Sequence, residues 1–592
     1  MRYGIFSLAI FAFCCFSRAA GAADSSAFMD ANEIQRGMRG TGRTVFAGTA
    51  IDTFAADILG VVRNGLGPRR HLILAQLSGG PLEETGVMQG MSGSPVYVHG
   101  RLIGAVAYTW PFAKIPIAGI TPIHDMLAVF ERGLEKPPEN YGAWAPVELD
   151  ERAAALLPRA VRQGAPSGRV SLEPLGTPVW TGGLGPAATR MLEEALAPFG
   201  LRVTAGVDGG GSVDRVAVFE PGAALGVQLI AGDVSATGIG TLTYVDGDRV
   251  LGFGHPMFLE GATDMPMTGA YIYLSMPNLF LSSKLGAPTR PLGAVRQDRA
   301  AAIAGVIGPI PDMLPVRVTV RTGIEQDAFT CRVLRHQRLT PRLVGSVLLG
   351  IAEATSKLSG PATLQMRSTI VFDDGQRLER EQMHSGSNAV FAAVMEAIQP
   401  LFLLTRNPFD AVRLEELHFE VGVSEQLERA QVRALRVIRG RLEPGGTLVA
   451  EVELQPYRRP PVTERMQIAL PTTLEPGTLV LRAGSGSASQ AWEAERSPDV
   501  FEPRTIAQLR QLLERQERDD DLVVELYRRE SGVSMAGREL PGLPPSARTI
   551  LQRENSTGYL GEVYGRVVLR QRRRTAYVLA GTQTVELTIG KP

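Results

Sequence analysis

The chain has 592 residues, more than one ordinary domain holds, and this length points to roughly three or four domains. Apolar residues make up 44% and charged residues 21%, the balance of a globular protein with sizeable cores. Lys plus Arg and Asp plus Glu both count 61, so no charge excess draws the chain to nucleic acid or to an anionic membrane.

The first residues have the pattern of a secretory signal. Arg2 supplies a positive start, Ile5 to Phe16 is an apolar run too short to span a bilayer, and Ala20-Gly21-Ala22 offers small residues for cleavage. Residues 1–23 are therefore expected to be a signal peptide, which predicts export to the periplasm or medium. Their removal takes away Arg2, Arg18 and no acid, leaving a net charge of −2. It also leaves Cys331 as the sole cysteine, so no disulfide is possible within the chain.

Short strands are predicted along residues 37–130, at Val45-Phe46, Asp57–Val62, His71–Leu77 and Ile115–Ile123. Val96–Val98 and Leu102–Tyr108 flank His99-Gly100-Arg101, a tight hairpin. Helices are predicted over Val147–Leu157 and, between Pro186 and Gly200, over Pro186–Phe199. Gly238–Val245 is a strand, Asp246-Gly247-Asp248 turns it, and Val250–Phe253 returns. Pro341–Lys357 and Asn388–Ile398 have the texture of largely buried helices. Alternation at Leu448, Ala450, Val452 and Leu454, and again at Met466, Ile468 and Leu470, predicts a β-sandwich over 425–485. Gly484–Ser489 is expected to be a flexible linker, and Thr505 to cap a short helix. Strands are expected again at Gly561–Leu569 and Thr575–Leu587.

Chemistry concentrates at Gly90-Met91-Ser92-Gly93-Ser94-Pro95, immediately before the hairpin. The pattern Gly-x-Ser-Gly-small-Pro suits acyl transfer. Ser92 is the nucleophile, and the N–H groups of Gly90 and Ser92 can share one concavity and hold an oxyanion. Glycine at 90 permits the backbone angle that turns its N–H inward. Ser94 is the competing hydroxyl, at a packing position.

A serine needs a base, and the chain has seven histidines: His71, His99, His124, His255, His336, His384 and His418. His255 stands apart because it ends a predicted strand in Gly252-Phe253-Gly254-His255-Pro256, where glycines allow close approach. Spacing alone leaves it open between a packing residue and a base.

Two blocks, within residues 37–126 and 236–310, resemble the sporulation factor IV B (SpoIVB) serine peptidases. One runs from Glu84-Thr85-Gly86-Val87-Met88-Gln89 through Ser92 to Gly104-Ala105-Val106; the other runs from Gly238-Ile239-Gly240-Thr241-Leu242-Thr243 to Gly254-His255. The resemblance implies a mainly β protein with a trypsin-like double β-barrel, Ser92 as nucleophile and His255 as base. It divides the chain into a Ser half at 30–135, a helical or mixed insert at 136–235 and a His half at 236–360. A mixed connecting segment at 361–424, the sandwich at 425–485 and an α/β segment at 490–592 follow.

Three departures stand out. The Ser block precedes the His block, as in a circular permutation, which triad geometry tolerates. The family acid is missing from Leu77-Ser78-Gly79-Gly80-Pro81, and Ala107 stands where the family has Thr. Asp264 is the first substitute for the orienting acid, with Asp52 and Asp57 as alternatives. A Ser–His dyad is also chemically possible, at a cost of about 10⁴ in turnover if judged by removal of a triad Asp.

Neither a metal nor another cofactor is expected: no two histidines have helical i, i+4 spacing and no paired-Cys motif occurs. The expected partner is a protein or peptide substrate, with an envelope association. Two functions remain in play, a serine endopeptidase of limited, regulatory action and a retired peptidase fold serving as an envelope binding or scaffold protein.

Overall fold

The computed structural model describes residues 27–110, 112–137, 172–205, 219–355, 360–440, 442–535, 538–551 and 560–590. The expected signal peptide and the helix expected at Val147–Leu157 lie outside them. The protein is mainly β.

Six strands build the first half: β1 (Arg39–Thr44), β2 (Asp52–Gly67), β3 (Arg70–Ser78), β4 (Pro95–Val98), β5 (Arg101–Thr109) and β6 (Ile117–Pro122). They pair antiparallel in the order β4-β1-β2-β3-β6-β5, and β5 pairs back onto β4, closing a six-stranded barrel. Closure leaves no free sheet edge around this ring. The expected hairpin joins β4 and β5, with His99 and Gly100 at φ 50° and 77°, the pair of positive angles a two-residue turn requires. Phe54, Ile58, Ile73, Leu77, Val96 and Ile103 fill the interior.

After β7 (Glu173–Pro174) beside β5, and β8 (Pro178–Gly182) with β9 (Arg202–Ala205), a second six-stranded set follows. It comprises β10 (Ala224–Gly232), β11 (Ser235–Asp246), β12 (Arg249–Gly252), β13 (Gly261–Met276), β14 (Ser283–Arg299) and β15 (Ala302–Ile307). The order β10-β13-β14-β15-β12-β11 closes through a β10–β11 pairing, again antiparallel throughout. Two closed barrels agree with the expected double-barrel architecture.

Nearly all of β5 is buried, because one face lines its own barrel and the other packs on the second. Ala105 and Leu102 share a cluster with Leu251, Ala302 and Ala304. That double burial removes the alternation an ordinary half-exposed strand would show.

The large sheet extends beyond the second barrel through β16 (Leu314–Thr322), β17 (Glu325–Val333), β18 (Ala362–Phe372), β19 (Arg377–Gly386) and β20 (Leu414–Ser424). Segments expected as an insert (136–235) and a connector (361–424) thus supply strands to this sheet. The helices Pro186–Leu196, Thr340–Thr355 and Ala389–Thr405 pack on it with apolar faces.

Beyond residue 424, β21 (Arg429–Gly440), β22 (Thr447–Pro456) and β23 (Val462–Ala469) form one layer of a sandwich. The other layer takes β24 (Gly477–Ser485), β25 (Asp521–Met535), β26 (Arg538–Pro541), β27 (Leu560–Arg574) and β29 (Thr582–Ile589), while β28 (Val578–Ala580) pairs with β21. The sandwich therefore draws strands from both 425–485 and 490–592 around one core. The expected linker Gly484–Ser489 is corrected: Ser485 ends β24 and caps the helix Gly486–Arg496, its hydroxyl accepting from the Ala488 N–H. Thr505 caps Ile506–Glu514 in the same way, as expected.

Candidate active site

The Gly90–Ser94 loop lies at the seam between the barrels. Gly93 has φ +96°, and a Cβ there would stand 1.9 Å from the Thr241 carbonyl oxygen, so only glycine lets the loop reach β11. Backbone bonds zip the contact. Thr241 N–H donates to the Ser92 carbonyl (2.7 Å), Gly93 N–H donates to the Val106 carbonyl (2.7 Å), and Phe253 N–H donates to the Thr241 carbonyl (3.2 Å). Thr243 Oγ1 donates to the Gly93 carbonyl at 2.7 Å. These bonds bring the segment that carries Ser92 beside the turn that carries His255.

That turn is strained. Phe253 and Gly254 both have positive φ, 67° and 69°, and Phe253 is a bulky residue in a region L side chains avoid. Thr121 Oγ1 from β6 donates to the Gly254 carbonyl at 2.6 Å, stitching the turn to the first barrel. His255 is only 2% exposed. Its Nδ1 lies 2.8 Å from the Pro256 carbonyl oxygen, and its buried Nε2 has no hydrogen-bond partner. A carbonyl can only accept, so Nδ1 carries the proton and Nε2 presents a lone pair. Burial pulls the imidazole down to about 4, with the Pro256 bond opposing. It is neutral at pH 7.

Ser92 is fully buried and its Oγ has no hydrogen-bond partner, so it is not bonded to His255 in this state. The N–H groups of Gly90 and Ser92 have no acceptor among the described residues, whereas those of Met91, Gly93 and Ser94 are all engaged. Gly90 has φ +92°. Ser94 fills the packing position expected of it, donating to Thr44 Oγ1 at 2.9 Å.

Asp264, expected as the orienting acid, makes no hydrogen bond to His255. Its carboxylate accepts from Arg296 across the β13–β14 pair (2.8 Å) and faces Lys136 (3.8 Å), because a half-buried acid is held by the nearest cations. Asp52 and Asp57 lie exposed on β2, Asp57 paired with Arg39. The His255 loop is held by an acid the sequence did not single out. Asp298, fully buried on β14, accepts from the N–H groups of Met257 (2.8 Å) and Phe258 (2.6 Å). Burial raises its pKa, and backbone bonds from Met257 to Glu260 oppose that. Asp298 thereby anchors the loop whose Pro256 carbonyl orients the imidazole.

Four of the remaining histidines have other partners. His124 faces Asp30, His418 faces Glu416, and His71 Nδ1 accepts from the Asn64 N–H. His384, Glu396 and Asp519 bring three ligand-type atoms within 4.8 Å of one another; Glu396 already meets His384 at 2.8 Å and Arg380 at 3.3 Å. Burial pushes the free Cys331 thiol up to about 11, away from thiolate chemistry.

No curated protein and no solved structure is significantly similar to the chain. The family model SpoIVB peptidase S55 matches residues 19–121, the stretch that builds the first barrel and carries Ser92. Over that stretch the chain is similar to a family of serine peptidases.

Proposed function

We propose that the chain is an exported serine endopeptidase that cleaves envelope or secreted proteins in a limited, regulatory way, with Ser92 as nucleophile and His255 as base. The observation that carries this reading is the docking of the Gly90–Ser94 loop on β11 and Phe253. It brings an unpartnered hydroxyl, two unpartnered N–H groups and the turn bearing a neutral, unpartnered imidazole nitrogen to one seam.

In this mechanism Ser92 Oγ–H gives its proton to His255 Nε2 as Oγ attacks the peptide carbonyl carbon. The oxyanion accepts from Gly90 N–H and Ser92 N–H. His255 then gives the proton to the departing amine, and water repeats the sequence on the acyl-enzyme. The Pro256 carbonyl, anchored through Asp298, does the tautomer-setting that an acid does in a triad. A carbonyl stabilises the imidazolium less than a carboxylate does, which suits slow, selective cleavage.

The burial of Ser92 and its separation from a direct hydrogen bond favour the second reading, a retired fold acting as a scaffold. In the enzyme reading the Ser92–His255 hydrogen bond forms when substrate binds, since hydrogen bonds of resting sites often tighten only in the complex. A serine-directed phosphonate probe decides. The expected result is covalent labelling of the full chain at Ser92, abolished by Ser92→Ala and slowed by roughly 10³-fold or more by His255→Ala. Equal labelling of wild type and Ser92→Ala, or none in either at any pH from 5 to 9, overturns the peptidase reading.

A further inference from the structure

Lys284, the second residue of β14, is fully buried and has no carboxylate partner among the described residues. Its side chain lies along the nucleophile loop: a Cβ placed on Gly90 would stand 3.1 Å from both Cβ and Cδ of Lys284. Its Nζ donates to Thr44 Oγ1 (2.6 Å) and Thr241 Oγ1 (3.5 Å). Thr241 Oγ1 donates in turn to the Gly90 carbonyl (2.9 Å), and Ser94 Oγ donates to Thr44 Oγ1 (2.9 Å) and Thr241 Oγ1 (3.4 Å). The backbone N–H of Lys284 donates to the Gln89 carbonyl at 3.0 Å.

These bonds fix the Gln89–Gly90 and Gly90–Met91 peptide planes of the loop. In a trans peptide the N–H points opposite to the C=O. With the Gln89 carbonyl held by β14, the Gly90 N–H is turned away from β14. The Gly90 carbonyl is held by the Thr241 hydroxyl under the amine. We propose that Lys284 is a positioning residue for the Gly90 and Ser92 oxyanion donors, and that protonation of its amine releases them. The inference rests on the peptidase reading of Ser92 and adds a regulator to it.

Donor arithmetic supports the proton gate. A neutral amine has two N–H groups, and Thr44 and Thr241 are two acceptors; an ammonium has three and leaves one buried and unmet. The groups facing Lys284 are uncharged on every side: Thr44 from β1, Thr241 from β11, Ser94, Gly90 and Gln89 from the loop, and Ser275 opposite it on β13. Burial alone therefore acts on the amine, pulling it from 10.5 to about 7.

The test compares the full chain with Lys284→Met, which keeps most of the apolar stem and removes the titration. In wild type, phosphonate labelling falls as pH drops through about 7, since the charged form disarranges the loop. In Lys284→Met labelling is lower at pH 8, and the limb near 7 is replaced by a single fall as His255 protonates near 4. Thr44→Val, which removes an acceptor the ammonium needs more than the amine does, shifts the wild-type limb to lower pH without abolishing it. Superimposable profiles for wild type and Lys284→Met overturn the proposal.

A readout that needs no activity separates its failure from that of the peptidase reading. Hydrogen exchange of the 86–94 segment is slower in wild type than in Lys284→Met at pH 8, where the neutral amine holds the loop, and faster in wild type at pH 5. Equal exchange at both pH values overturns the gate even if Ser92 is never labelled. Linkage supplies the sign for stability. The unfolded chain holds the Lys284 proton up to about 10.5 and the folded one only to about 7, so stability rises with pH between those values. The wild-type unfolding constant falls by up to tenfold per pH unit relative to Lys284→Met in that window.

Discussion

Single atoms carry most of the functional reading. His255 needs a defined tautomer, and here a backbone carbonyl defines it. The loop bearing that carbonyl is anchored by Asp298, whose two oxygens accept from consecutive N–H groups. Asp298→Asn keeps the size but replaces one acceptor with a donor facing a donor, at a cost of about 1–3 kcal/mol. The expected outcome is a labelling rate at Ser92 about tenfold lower or worse. An unchanged rate would detach Asp298 from the site. Asp298 has no motif around it in Arg296-Gln297-Asp298-Arg299, and Lys284 has none in Ser282-Ser283-Lys284-Leu285, so neither was legible in the sequence. Ser92 and Gly90 were singled out by the Gly-x-Ser-Gly-small-Pro pattern, whereas glycine spacing left His255 open and only the resemblance to the peptidase family pointed to it as a base.

At the scale of elements, β11 is the strand on which the site is assembled. Its Thr241 and Thr243 hydroxyls hold the Gly90 and Gly93 carbonyls, and its backbone holds Ser92. Thr243→Val removes one buried donor and leaves the Gly93 carbonyl unmet, so a loss of about 1–3 kcal/mol in unfolding free energy is expected from denaturant titration. Gly93→Ala is far harsher, because its Cβ would overlap the Thr241 carbonyl at 1.9 Å and φ +96° disfavours it. The hairpin β4–β5, the turn after β11, the helix start at Pro186 and the helix cap at Thr505 were foreseen, since local chemistry dictates them. The helix at Gly486–Arg496 was missed because Gly and Ser runs usually mark linkers; here Ser485 caps a helix that packs on β24 and β25.

Across the whole molecule, the C-terminal sandwich is coupled to the barrel-bearing part through the helix Ile506–Glu514. Its Leu509 and Leu513 are buried in the same core as the strands of the second barrel and its extension. Arg510 pairs with Asp374 and Arg518 with Glu381 across that boundary. Leu513→Ala is expected to lower stability by about 2–5 kcal/mol through the cavity left behind. Differential scanning calorimetry checks it: a shift confined to a separate sandwich transition would show that the two parts unfold independently.

Sequence alone determined the elements and the candidate chemistry, namely alternating strands, turn glycines, capped helices, a nucleophile loop and a histidine among glycines. These are short-range consequences of backbone sterics and hydrophobic period. Only the tertiary structure decided that two barrels close, that β8, β9 and β18–β20 join the large sheet, and which groups stand around Ser92. Strand partners are chosen by long-range pairing and burial, which leave no period in the chain. A buried Lys or Asp also looks like any surface charge until its surroundings are folded around it.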